Sequence, residues 1–106
     1  MVNLRLYAWT VRGRQRIAIM KSMHKPMTVT KICKDSKQYN GKISLNNCSD
    51  IVRSFAGIGL AVCLNSHDRT GRLYKLTKAG EEIRTELLNE GLINLYLAIN
   101  WMIIIK

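Results

Sequence analysis

The chain has 106 residues, with seventeen Lys and Arg against seven Asp and Glu and a net charge of +10; that length suits a single domain with one modest core. The charge is uneven: residues 1–80 hold fifteen of the cations and only Asp35, Asp50 and Asp68 among the acids, a net +12, whereas residues 81–106 come to −2. A basic body with a mildly acidic end fits a polyanion partner, and three cysteines, odd in number and with no C-x-x-C pair, argue against a disulfide framework and for a reducing compartment.

Residues 1–10, MVNLRLYAWT, alternate in part, with Val2, Leu4, Leu6 and Ala8 on one face if extended. The segment reads either as a short strand or as the first turn of a helix. Tyr7 and Trp9 are large apolar bodies expected to dock on the core or on a partner subunit. Residues 12–23 then read as a helix in which Ile17, Met20 and Met23, flanked by Ile19, line one side. Arg12, Arg14 and Arg16 crowd its start, where the positive end of the helix dipole disfavours cations unless an anion is near. His24, Lys25 and Pro26 break this helix, because proline cannot continue the hydrogen-bond ladder.

Thr28 is placed to cap a second short helix over 29–36, with Val29, Ile32 and Cys33 inward and Thr30, Lys31 and Lys34 outward. A turn over 37–43, containing Asn40-Gly41, leads to Ser44, the expected cap of a third helix. There Leu45, Cys48, Val52 and Phe55 are spaced by 3, 4 and 3 residues and form one apolar stripe. Asn46, Asn47, Ser49, Asp50 and Arg53 are left outward, a short polar set of the kind that meets base edges in a major groove, although an ordinary solvated face offers the same residue types. Gly57 and Gly59 end the helix.

A strand over 60–65, a loop carrying Arg69, Thr70 and Arg72, and a strand over 73–77 then make a hairpin with a cationic tip suited to phosphate. Tyr74 and Leu76 share one face of the second strand, and Leu73 and Lys75 the other. Thr77 caps a helix over 78–90, with Ile83, Leu87 and Leu88 available for packing and Glu81 and Glu82 well placed in its first turn.

In this order of elements the run from residue 44 to residue 80 resembles the winged helix-turn-helix transcription regulators, particularly small archaeal ones and, more loosely, MarR-like repressors. The resemblance is carried by the Gly59-Leu60 step into the wing and by the closing segment Gly71, Arg72, Leu73, Tyr74, Lys75, Leu76, Thr77 and Gly80. With the upstream helices it covers residues 12–90. It implies a mainly helical α+β fold, a winged helix-turn-helix domain over 1–90 with a two-stranded wing, to which the apolar pattern of the tail adds a C-terminal helix over 91–106. It further implies a sequence-specific double-stranded DNA binder that regulates transcription in the cytoplasm, with recognition helix 44–57 in the major groove and wing 65–72 on the backbone.

The residues expected at the DNA are Thr30, Lys31, Lys34, Lys42, Ser44, Asn46, Asn47, Ser49, Asp50, Arg53, Arg69, Thr70 and Arg72. Asp50 departs from the pattern, because an acid repels phosphate. It either accepts a hydrogen bond from a cytosine amino group or pairs with a neighbouring cation. The competing reading is a winged-helix module that binds protein or associates with RNA without reading DNA sequence; such a module favours an apolar recognition surface, and this one is polar and cationic.

Enzyme chemistry has little to stand on: the sequence carries no Gly-rich phosphate loop, nucleophile elbow, paired catalytic carboxylates or His cluster. No cofactor is implied, and no Cys or His spacing matches a zinc site. After Gly91 the tail LINLYLAINWMIII is apolar on nearly all sides, yet at about 14 residues it is shorter than the roughly 20 that span a bilayer. It must bury itself in its own domain, in another subunit or along a membrane surface. A homodimer through this tail is the expectation, since a surface-lying helix usually carries a cationic face that the tail lacks.

Overall fold

Asn3 opens the first helix, α1 (Leu4–Val11): its side-chain oxygen accepts a hydrogen bond from the Leu6 amide at 3.1 Å. The N-terminal segment, ambiguous as sequence, is therefore helical in the computed structural model, which describes residues 2–89 and 98–100. Gly13, in an extended conformation, separates α1 from α2 (Arg14–Ser22). The helix expected to begin at residue 12 thus begins after that glycine, and Arg12 ends the preceding helix instead. Its buried face is Ala18, Ile19 and Met20, with Met23 just beyond, while Ile17 is only half-buried.

The helix stops at Ser22 with Met23 as its C-cap, before Pro26, and Met27–Thr28 forms a two-residue strand, β1. Thr28 then caps α3 (Val29–Ser36) by accepting from the Lys31 amide at 3.2 Å. Ser44 does the same for α4 (Leu45–Gly57), accepting from the Asn47 amide at 3.1 Å. Both caps satisfy donors that a helix start leaves open. Cys48, Val52 and Phe55 have no solvent exposure, as their spacing requires. Leu45, expected in the same stripe, is 50% exposed; it sits at the first position of α4, outside the reach of the core, and the fully packed Ile43 just before the cap fills the inward place.

The exit from α4 is set by Gly59, at φ +85°. The Leu60 amide donates to the Phe55 carbonyl at 2.8 Å and the Gly59 amide to the Ala56 carbonyl at 3.4 Å, the paired bonds of a Schellman cap, in which the left-handed residue is usually glycine. The chain enters β2 (Ala61–Cys63) directly and returns through β3 (Leu73–Leu76). The strands are antiparallel in the order β1-β3-β2, with Met27 opposite Tyr74 and Ala61 opposite Leu76. The hairpin is the expected two-stranded wing. The third strand was hidden in sequence because two residues after a proline show no periodicity.

Thr77 links wing to α5 (Lys78–Asn89): its hydroxyl donates to the Gly59 carbonyl at 2.6 Å and accepts from the Gly80 amide at 3.3 Å. Gly80 is needed for closeness, because a Cβ there would overlap the Leu60 carbonyl oxygen. Ile83 and Leu87 are fully buried, whereas Leu88, expected to pack, is 47% exposed. Arg84 ties α5 to α2 by donating to the Lys21 carbonyl at 3.1 Å. The core formed by α2, α3, α4, the inner face of the sheet and α5 also takes Tyr7, and Trp9 stands edge-on to Phe55 with ring centroids 5.8 Å apart.

The domain division at residue 90 and the helix expected over 91–106 lie outside the described residues, apart from 98–100, which are helical. Among the described residues no helix is long and apolar enough to cross a membrane.

Candidate nucleic-acid interface

Three elements converge on one groove of about 270 Å³. The start of α3 contributes Thr30, α4 contributes Ser49 and Arg53, and the wing tip contributes Arg69 and Arg72. These five were expected at the interface from sequence, and the fold brings them to one wall although 42 positions separate Thr30 from Arg72. Tyr74 forms part of the lining as well; its place follows from β3, whose alternation turns Tyr74 inward and Lys75 outward.

The wing is held open by Asn65. Its amide nitrogen donates to Asp68 Oδ2 at 2.9 Å and to the Gly71 carbonyl at 3.2 Å, and its oxygen accepts from the Leu73 amide at 2.6 Å. Arg72 Nε donates to the Asp68 carbonyl at 2.7 Å, which fixes the base of that side chain within the loop. Asn65, expected at the end of a strand over 60–65, lies beyond the last residue of β2, Cys63; its bracing role is legible in sequence only as an Asn at a turn, a residue that bonds nearby backbone readily. Gly71, at φ +66°, lets the loop close.

Asp50 and Arg53 form an exposed pair, Arg53 Nη2 to Asp50 Oδ1 at 2.7 Å. Of the two roles open to this acid, the structure shows the pairing with a neighbouring cation. Exposed pairs are worth little to stability, so its consequence is orientation: Arg53 Nε also donates to the Ser49 carbonyl at 3.4 Å, and the guanidinium is held along the outer face of α4. Lys31 is engaged in the same way, 3.1 Å from Asp35 one turn on.

Asn46 and Asn47 are exposed in the first turn of α4. Asn47, Asp50 and Lys42 open onto a separate depression on the other flank of the helix. Ser44 is exposed, with its oxygen used in the cap; Lys34 and Thr70 are exposed and line neither hollow. Among the described residues no cluster of His, Cys, Asp and Glu is arranged to hold a metal ion.

No protein-family model matches the sequence, and no curated protein does. Among solved structures the chain is similar to the multiple antibiotic-resistance repressor (MarR) from Listeria monocytogenes 4b F2365, with a TM-score of 0.63 at 18% sequence identity. The match covers 92% of this chain and 64% of the repressor, so the present chain spans less than two thirds of the repressor's length. At that identity the likeness is one of fold: the chain has the winged-helix fold seen in that MarR repressor.

Proposed function

We propose that the protein binds double-stranded DNA sequence-specifically and regulates transcription in the cytoplasm, with α4 in the major groove and the wing on the backbone. The observation that carries this reading is the convergence of Thr30, Ser49, Arg53, Arg69 and Arg72 on one cationic groove beside the polar face of α4. A winged-helix fold alone does not fix function; a groove lined by hydroxyls and guanidinium groups suits phosphate, and the amide side chains of Asn46 and Asn47 suit base edges. The MarR name of the structural neighbour is in keeping with this reading. Pairing of two chains through residues 91–106 would present two α4 helices to half-sites about 34 Å apart.

Selection of bound duplexes from random DNA at physiological salt tests the proposal directly. A defined motif should emerge, and replacing whichever of Asn46, Asn47 and Arg53 contacts a base should cost about 1 to 3 kcal/mol on that motif and much less on random DNA. Equal losses on both would remove base reading from α4. The Arg69→Ala, Arg72→Ala double variant should weaken binding to all duplexes and lower the log-log salt slope by up to about 2. No enriched sequence, with retained binding to RNA or protein, would favour the interaction-module reading instead.

A further inference from the structure

The cationic surface does not stop at the groove. On the opposite flank of α4 a second depression, of about 540 Å³, is lined by Asn47 and Asp50 of the helix, Lys42 of the turn before it, and Arg12 and Arg14 of the α1–α2 corner. A third, of about 560 Å³, adjoins it through Arg14 and Lys42 and adds Lys21. Arg12, Arg14 and Lys42 are exposed, and none of the ion pairs among the described residues engages them. Arg16 differs: it donates to the Trp9 carbonyl at 2.6 Å and lies 4.0 Å over the Trp9 ring, so it serves the fold. The one acid on this flank, Asp50, is paired with Arg53.

Helical geometry orders these groups. At roughly 100° per residue, Asn46 and Asp50 form the centre of the outer face of α4, Ser49 and Arg53 lie to one side, and Asn47 and Ile51 to the other. Ser49 and Arg53 face the wing groove, whereas Asn47 and Ile51 face the Arg12, Arg14 and Lys42 depression. Cations thus border the polar face on both flanks. A helix lying in a major groove has a phosphate strand on each side of it, and a one-sided wing reaches only one of them.

Building on the DNA-binding reading above, we propose that Arg12, Arg14 and Lys42 form a second backbone clamp, which holds the phosphate strand on the side of α4 away from the wing. The α1–α2 corner is then part of the DNA-binding surface. These three residues contribute affinity and register without base preference.

The test uses the full chain, the selected duplex, and the Arg12→Ala, Arg14→Ala, Lys42→Ala triple variant beside the Arg69→Ala, Arg72→Ala double variant. The triple variant should melt as the wild type does, keep the same preferred sequence, bind both cognate and random duplex at least tenfold more weakly, and lower the log-log salt slope by up to about 2.7, close to 0.9 per lost phosphate. Duplexes with neutral methylphosphonate linkages in one strand or the other locate the contacts. Neutralising the far strand should weaken the wild type and the wing variant but leave the triple variant unchanged. A set of glutamine replacements at the same three positions guards against a packing effect and should behave as the alanines do. An unchanged slope in the triple variant, with the wing variant impaired, overturns this inference while leaving the DNA-binding reading intact. A wild type that binds no duplex overturns that reading first and this inference with it. Loss of RNA binding alone in the triple variant assigns the corner to RNA and overturns the clamp.

Discussion

Two residues of the helix-turn-helix seam show how burial sets chemistry. Cys33 and Cys48 are buried, their thiols directed at the Ile43 and Val29 carbonyls, whereas Cys63 in β2 is half-buried. Burial, reinforced by neighbouring Cys33, pushes the Cys48 thiol from 9.0 up to about 12. Because the thiolate is the reactive form, alkylation of the folded protein near neutral pH should modify Cys63 first and reach Cys48 only on unfolding; peptide mapping by mass spectrometry reads the order. The unfolded thiol loses its proton near 9 while the folded one keeps it to about 12, so the unfolded state binds fewer protons between these values. The contribution of this thiol to stability is full below pH 9 and is lost as pH rises from there towards 12. Cys48→Ala should lower the melting temperature at pH 7 through lost packing, yet decline less steeply than the wild type between pH 9 and 11; parallel declines would show that this thiol is not the cause. At Gly80 the effect is steric. Alanine would gain up to about 1 kcal/mol in helix propensity but place its methyl against the Leu60 carbonyl oxygen, and overpacking of that kind costs about 1 to 3 kcal/mol. Gly80→Ala should therefore lower the thermal midpoint, and a rise would mean that the backbone yields at no cost.

The elements differ in how far their sequence announced them. Helices α3 and α4 were legible because three signals agreed: a cap at Thr28 or Ser44, an apolar spacing, and a breaker on each side. The wing was legible through Gly59, the Asp68 to Gly71 turn residues and the alternation at Tyr74 and Leu76. The first ten residues were not, since a partial alternation of Val2, Leu4, Leu6 and Ala8 satisfies either period until Asn3 is seen to cap. Strand β1 exists only because β3 offers it a partner, and the exposure of Leu45 and Leu88 reflects tertiary placement, which periodicity does not carry. The residue types of the proposed interface were readable, but the cations on the second flank of α4 could be grouped only once the α1–α2 corner was placed. Asn65 is the clearest case of a residue whose weight comes from its surroundings. Asn65→Ala removes hydrogen bonds to Asp68, Gly71 and Leu73 at once. It should loosen the wing tip, speed proteolytic cutting between residues 66 and 72, and weaken duplex binding, while a loss of about 1 kcal/mol per bond is an upper bound at so exposed a site. Asn65→Asp keeps the acceptor for Leu73 but faces Asp68 with a like charge, and should fall at or below alanine. An uncut, fully binding alanine variant would show that the wing is held by β2 and β3 alone.

At the scale of the whole molecule the open quantity is apolar surface. Among the described residues Phe55, Ile32, Leu60, Ile83 and Leu87 are fully buried. Leu4 and Leu88 remain 65% and 47% exposed, and Ile99 is 48% exposed. The sequence from 92 to 105 adds eleven more Leu, Ile, Tyr, Ala, Trp and Met side chains besides Ile99. Left in water, such a run would exceed the contiguous apolar patches that soluble monomers show. Two-fold pairing of the segment would remove it from water, and a self-complementary interface is the usual form of a homodimer. Attachment to a membrane surface is the weaker use, because Lys106 is the only cation after Arg84 and interfacial helices carry a basic face. We therefore expect sedimentation to give a dimer for the full chain and a monomer for a chain ending at Asn89. The shortened chain should still melt cooperatively and bind a single half-site with reduced affinity. A monomer in both cases, or a dimer in both, would take the tail out of the interface, and flotation of the full chain with anionic vesicles would move it to the membrane surface.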